Sequence, residues 1–286
     1  MTSNPCNDCG EPLLASASLC PHCGRPSLFP NVNAASSAEE TAAFNVRFDK
    51  AQQDLKNRAA ETKAAEFVAV VEKAEVIINR YFGELYRLAW SDDQIYATYY
   101  QKIHAGLQLP ETDRWNRLRA IADTILFGEI NKQQIRFSAL SLDNAGLEKY
   151  GDCAMTVKRA MIEHRATIFD ENSVVFMKRH GITGTDDFQI PPGHRTTWAR
   201  RVDLCVAKLA HRILPPTGQD EFDKILLSSG NKPEEDEFVE VHIWGPLTIR
   251  SFQSVQIQEW SVRPSDEEQM EIKNRLANVG VAFVTP

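Results

Sequence analysis

Glu237-Phe238-Val239-Glu240-Val241-His242-Ile243-Trp244-Gly245-Pro246 alternates β-branched residues with a carboxylate, an imidazole and two large aromatics, then stops at Gly-Pro. In a strand, successive side chains point to opposite faces. Val239, Val241 and Ile243 then share one face, which is plain core. Phe238, Glu240, His242 and Trp244 share the other, an odd composition for a wetted surface. An apolar frame around a carboxyl raises its pKa and strengthens its hydrogen bonds, as catalytic sites do. The plainer reading is a wet face with Phe238 and Trp244 packed under a loop. Strand geometry alone leaves both open.

Upstream of this strand the chain has the same texture back to Ile130. Residues 135–142 read as a strand, followed by the turn Asp143-Asn144-Ala145-Gly146. Further strands are predicted over 150–157 and 165–169, and Asn172-Ser173 caps a helix to Arg179. A loop with Pro191-Pro192-Gly193 leads to an amphipathic helix over 197–213. Downstream lie a strand over 254–257, a capped helix over 265–276 and a strand over 279–284. Mixed short strands with few helices make 130–286 an α+β domain of catalytic type.

Before Ile130 the pattern is helical. Ser37 with Glu40 is a capping-box signal, and Phe67, Val70, Val71, Ala74, Ile77, Ile78, Tyr81 and Leu85 recur at helical spacing. One long helix or a broken pair is expected over 38–90, with a second helix capped by Ser91-Asp92-Asp93 and a third over 111–128. Tyr96, Tyr99 and Tyr100 fit helix packing at i, i+3 and i+4 better than a stacking cage. Residues 38–129 thus form a helical region, and the small polar stretch 31–37 a linker.

The first 30 residues are more explicit. Cys6-Asn7-Asp8-Cys9-Gly10 and Cys20-Pro21-His22-Cys23-Gly24 are two C-x-x-C-G turns. Two residues between cysteines let both thiolates face one ion, and the glycine takes the positive φ of such a turn. Together Cys6, Cys9, Cys20 and Cys23 make a tetrahedral structural zinc site, so 1–30 reads as a zinc ribbon. A redox pair or disulfide framework does not explain the doubled motif without a βαβ context or secretion signal. Leu13, Leu14 and Leu19 suggest a knuckle that docks, and Arg25 is the lone nearby cation for a nucleic-acid role. Cys153 and Cys205 read as lone core thiols.

Bulk composition bounds the function. The 286 residues, 43% hydrophobic and 25% charged, fit soluble globular protein with room for two modest domains beside the ribbon. A formal net charge of −7 argues against sequence-independent nucleic-acid binding, which runs on clustered Lys and Arg, though a local basic groove remains compatible. No apolar h-region follows Met1, and no run approaches the roughly 18 apolar residues of a membrane span. The expectation is a cytoplasmic protein without membrane contact.

Taken in order, Phe137-Ser138-Ala139-Leu140-Ser141, Tyr150-Gly151-Asp152, Arg165-Ala166-Thr167 with Asn172-Ser173, and Val239-Glu240-Val241-His242-Ile243-Trp244-Gly245-Pro246 resemble the ADP-ribosyltransferase superfamily. The likeness is greatest to bacterial toxin-like members that end in a Glu-containing strand followed by Gly, and it spans about 135–257. It implies an enzyme that uses NAD+ as substrate, with Glu240 the catalytic glutamate that hydrogen-bonds the nicotinamide ribose. It implies that Arg136 on the first strand holds NAD+, with Ser138 beside it, and that Ser173 supports the site. Tyr150, Phe238 or Trp244 would wall the nicotinamide, Arg136 or Arg165 would meet the diphosphate, and His242 would activate the acceptor. For Arg165 the competing reading is a strand-flanking surface charge. Phe238 stands where many members carry Glu or Gln, and the usual Ser-Thr-Ser triplet is absent.

The implied role is a toxin or phage-defence effector modifying a protein or nucleic acid, restrained by an inhibitor or antitoxin. Two other classes stay open. One is a zinc-ribbon adaptor with a catalytically dead C-terminal domain. The other is a metal-dependent nuclease using Asp152, Glu240 and His242, although the chain lacks an H-x-x-x-H or D-x-D cluster.

Overall fold

The computed structural model describes residues 4–6, 9–13, 19–24, 29–110, 114–182, 184, 189–257 and 264–284. Strands β1 (Asn4–Pro5) and β2 (Pro12–Leu13) pair antiparallel, with Cys6 and Cys9 on the connection between them. The readings placed on Leu14 and Arg25 lie outside the described residues. The expected linker is instead a helix, α1 (Pro30–Ala35), with Pro30 at its first position and Asn31, Val32 and Ala35 buried. The Asn31 side-chain amide donates to the carbonyls of Arg165 at 3.0 Å and His242 at 3.2 Å. Small polar residues look like a loop in sequence. Here their partners lie more than a hundred residues away.

Ser37 accepts the Glu40 N–H and starts α2 (Ala38–Asn57), as its motif predicts. The Glu40 carboxylate does not close the box. It turns inward to the Gly193 N–H at 2.6 Å and to Arg195. After α3 (Glu61–Val71) the helical expectation fails: residues 75–80 form strand β3 (Glu75–Arg80), with α4 (Phe82–Leu88) beyond it. Val76-Ile77-Ile78 is a β-branched run, stiff at χ1 and suited to a pleated surface, and it outweighs the helical period. The sheet therefore takes a strand from the stretch read as helical.

The second helix begins later than expected, as α5 (Tyr99–His104), with Thr98 and Gln101 forming its capping box. Ile95 bridges to Thr248 and the Tyr96 N–H bonds Leu247, so this stretch is extended, not helical. Helix α6 (Arg114–Asn131) is kinked at Gly128, where φ is 78°. Then come β4 (Ile135–Ser141), β5 (Cys153–Val157), β6 (Ala166–Phe169) and α7 (Ser173–Arg179), the last capped by Asn172 as predicted. Strand β7 (Arg195–Thr197) occupies the start of the helix expected over 197–213, whose regular part is α8 (Arg201–Leu209). The chain ends with α9 (Phe222–Leu226), β8 (Glu240–Trp244), β9 (Phe252–Ile257), α10 (Asp266–Asn278) and β10 (Ala282–Val284).

The fold is mixed α+β. Eight strands form one sheet in the order β10-β9-β5-β3-β4-β8-β6-β7, antiparallel except for β10 against β9. One face carries Val76, Ile78, Leu140, Met155, Val241 and Ile243 against helices α2, α3, α8 and α9, where Phe67 and Phe222 meet edge to face at 5.3 Å. The other face is covered at one end by α6 and α7, through Ala122, Leu126, Phe169, Phe176 and Met177. Cys153 and Cys205 lie in the main core, as expected of lone thiols. Among the described residues no helix is long and apolar enough to cross a membrane.

Candidate functional site

Strands β3 and β4 sit at the middle of the sheet but pair only over residues 75–77 with 139–141. Beyond that the strands part: 78–80 keep their partners on β5, and 135–138 keep theirs on β8. A cavity of about 460 Å³ occupies the opening, bounded by 77–81 on one side and 135–139 on the other. That size lies within the roughly 300–1,000 Å³ of small-molecule sites. Asn79 fastens one rim: its amide donates to Ala145 and Gly151 carbonyls, and its oxygen accepts the Leu147 N–H. Gly151 is required there, because at φ 142° any Cβ would run into the Arg80 backbone.

Glu240 reaches this cavity from β8 and is 5% exposed. Directly opposite residues on neighbouring strands share a face. Ala139 opposes Glu240 and Phe137 opposes His242, so the carboxylate and imidazole share a face, as strand alternation predicts. That face is dry. His242 is 1% exposed, and its ring meets Phe127, Phe137 and Phe169 with centroids 4.9–5.6 Å away. Its Nε2 lies 2.9 Å from Glu240 Oε2, and since a carboxylate only accepts, that nitrogen carries the hydrogen. The same oxygen accepts the Ser173 N–H at 3.1 Å. His242 is absent from the cavity wall. It positions Glu240 from behind, and an acceptor-activating role would need a contact it lacks.

The remaining predicted residues divide. Ser173 supports Glu240, but through its backbone N–H on the first turn of α7, not from a strand. Tyr150 and Phe238 line the cavity, and Trp244 does not. Burial and the Asp236 charge push the Tyr150 hydroxyl upward in pKa. Arg136 opposes Ile243 and Ser138 opposes Val241, which puts both on the face away from Glu240. They border the cavity because their strand edge is unpaired there. The Ser138 hydroxyl donates to Val241, and Arg136 donates to the Tyr96 and Gln134 carbonyls and to Gln101. Arg165 is likewise engaged, with the carbonyls of Met161, Trp244 and Pro246, and stands outside the cavity. A guanidinium bound to three carbonyls is not offered to a diphosphate. Neither the clamp nor the surface-charge reading fits Arg165.

Sequence reasoning missed the far wall. Tyr96, Tyr99 and Tyr100 all line the cavity, so the cage reading set aside for them matches their position better than helix packing. Arg80 stacks over Tyr96 at 5.0 Å. Lys102, Lys149 and Arg119 add cations, and among the described residues Arg119 makes no hydrogen bond or salt bridge. Asp123 projects from α6 into the same wall and is 1% exposed. Its Oδ2 accepts the Tyr100 hydroxyl at 2.6 Å, and among the described residues Oδ1 has no partner. Burial lifts its pKa to about 7, the Glu240 charge adding to the effect. An acid inside the apolar run Ile121-Ala122-Asp123-Thr124-Ile125-Leu126 was the available signal.

At the N-terminus the four sulfurs lie within 4.8 Å of one another, with Cys6–Cys23 at 3.7 Å and Cys9–Cys20 at 3.6 Å. A tetrahedron with bonds of about 2.3 Å has sulfur–sulfur edges of roughly 3.8 Å, so the set fits a metal ion of zinc's size. Gly10 and Gly24 take φ of 77° and 70°, as the C-x-x-C-G turns require. Among the described residues no other group of three or more His, Cys, Asp or Glu converges this way. Asp152, Glu240 and His242 therefore do not form the nuclease centre considered above. No protein-family model matches the chain, and no curated protein matches it.

Proposed function

We propose that the cavity binds NAD+ and that the protein transfers ADP-ribose from it to an acceptor, with Glu240 as the catalytic carboxylate. The observation that carries this reading is the position of Glu240: a buried carboxylate on a central strand, held by two donors, at the floor of an opening walled by tyrosines and rimmed by cations. Aromatic faces suit nicotinamide and adenine, and arginine suits a diphosphate. As the bond between ribose and nicotinamide breaks, its electron pair passes to the pyridinium nitrogen and nicotinamide leaves neutral. The ribose carbon becomes oxocarbenium-like, as in glycoside hydrolysis, and a fixed negative charge beside it stabilises that state above the ground state. The ion in the cysteine site is zinc, which holds the ribbon together. A macromolecular acceptor and a toxin or defence role follow from the same reading.

The test is nicotinamide release from NAD+ by the full chain, with lysate supplied as a source of acceptor. Glu240→Gln keeps the shape and removes the charge, so release should fall on the order of 10²-fold while NAD+ binding is nearly retained. Equal rates would remove Glu240 from the chemistry. NAD+ binding without turnover by the wild type would favour the adaptor reading instead.

A further inference from the structure

The strongest unexplained feature of the cavity is a second buried carboxyl. Asp123 is buried and lines the same cavity as Glu240; Oδ2 is fixed by Tyr100, and among the described residues Oδ1 has no partner. A buried oxygen with no donor is costly unless something else meets it. Its neighbours on α6, Ala122 and Leu126, fill the apolar cluster with α7. We propose that Asp123 is the general base that takes the proton from the acceptor, and that the acceptor atom is therefore a protonated oxygen or nitrogen, such as a hydroxyl.

This inference rests on the ADP-ribosyl transfer reading. The acceptor's O–H or N–H bond breaks and its proton passes to Oδ1. The acceptor atom bonds to the ribose carbon as the ribose–nicotinamide bond breaks, and the nicotinamide leaves without needing a proton. Atoms and charge balance: NAD+ and a neutral acceptor give the ADP-ribosyl product, nicotinamide and the proton held by Asp123. A thiolate or carboxylate acceptor would have no use for the base. A carboxyl titrating near neutrality is suited to the role, since base catalysis is most effective when the group's pKa lies near the working pH. The groups that face it are Tyr100 from α5, Arg119 from its own helix, Lys132 from the turn after α6, and Glu240 from β8. Burial and Glu240 raise its pKa; Tyr100, Arg119 and Lys132 lower it.

The experiment uses the full chain with NAD+ and water or methanol as probe acceptors, measuring nicotinamide release from pH 5 to pH 9. The wild-type rate should fall about tenfold per pH unit below a midpoint near 7. Asp123→Asn should lower the plateau on the order of 10²-fold and lose that acid limb, and Asp123→Glu should restore part of both. Should Asp123→Asn fail to fold, Tyr100→Phe serves: it removes a hydrogen bond that lowers the Asp123 pKa, so the midpoint should move upward. An unmoved midpoint overturns the proposal. So does an Asp123→Asn enzyme with the wild-type rate and limb, provided Glu240→Gln is still inactive; the transfer reading then stands without Asp123. A wild type that releases no nicotinamide at any pH, with either acceptor or with lysate, overturns both.

A second readout needs no turnover. The folded protein holds the Asp123 proton up to about pH 7, whereas the unfolded chain releases it near the ordinary value of 3.8. The folded state binds more protons between those values, so stability falls as pH rises through that window. Asp123→Asn should flatten this part of the melting-temperature profile relative to wild type. Identical profiles would mean that Asp123 does not titrate near neutrality, and would overturn the proposal.

Discussion

Two arginines in this protein are opposites in structure. Arg165 donates to three main-chain carbonyls at 2.5–3.0 Å, so it braces the end of β8 where the chain turns at Gly245. Arg119 stands on the cavity wall and, among the described residues, makes no hydrogen bond or salt bridge. Arg119→Ala should therefore raise the KM for NAD+ at least about tenfold with little change in melting temperature, because one charge-assisted contact to phosphate is worth about 1.5–3 kcal/mol. Arg165→Ala should do the reverse, destabilising by about 1–3 kcal/mol through unmet carbonyls while leaving KM near wild type. Steady-state kinetics and thermal melts on the two variants check both. A matching KM increase in Arg165→Ala would place it back at the diphosphate. The same contrast explains why the face of Glu240 was legible in the sequence and the place of Asp123 was not. Strand alternation fixes the face of a residue from its neighbours alone, but a lone acid on a helix gains meaning only from what packs across from it.

At the level of elements, several local signals act as read, while the cap expected at Ser91-Asp92-Asp93 starts no helix and Thr98 takes that place. Ser37, Asn172 and Ser265 each cap the helix they were expected to start. Strand β8 was placed from its own alternation. The other failures were elements whose character depends on distant partners. Strand β3 carries a helical period as well as a β-branched run, and only its pairing with β4 and β5 decides between them. Helix α1 is polar and small because its Asn31 reaches carbonyls of 165 and 242, a contact invisible in a window of ten residues. That docking also bounds the ribbon. Cys20→Ser should lose the metal, measured as about one zinc per wild-type chain, and should unfold the turns around Cys6 and Cys23. The main sheet should keep its melting transition, since α1 is held by its own contacts beyond the cysteines. Unchanged metal content would contradict the four-cysteine site.

Across the whole molecule, one core joins strands and helices from 44 to 281, and part-buried polar contacts stitch its far edges together. Arg47 on α2 meets Asp170 at 2.7 Å, His194 meets the same carboxylate at 2.6 Å, and Glu40 holds Arg195 and the Gly193 N–H. These contacts fix β7 against α2, whereas the middle of the sheet is held by a short ladder. There, strands β10-β9-β5-β3 and β4-β8-β6-β7 meet along a ladder of three residue pairs. Local opening in proteins concentrates where few backbone hydrogen bonds hold. Hydrogen exchange at those amides of 78–80 and 135–138 that face the opening, and not their β5 or β8 partners, should therefore be fast in the free protein and slow on adding NAD+, and unaltered exchange would place the nucleotide elsewhere. The short ladder has a mechanical consequence as well. It makes the sheet a pair of jaws on a three-rung pivot whose last rung, Ile77 against Ala139, is itself cavity wall, so a substitution that loosens that rung should reshape the opening as well as weaken the joint.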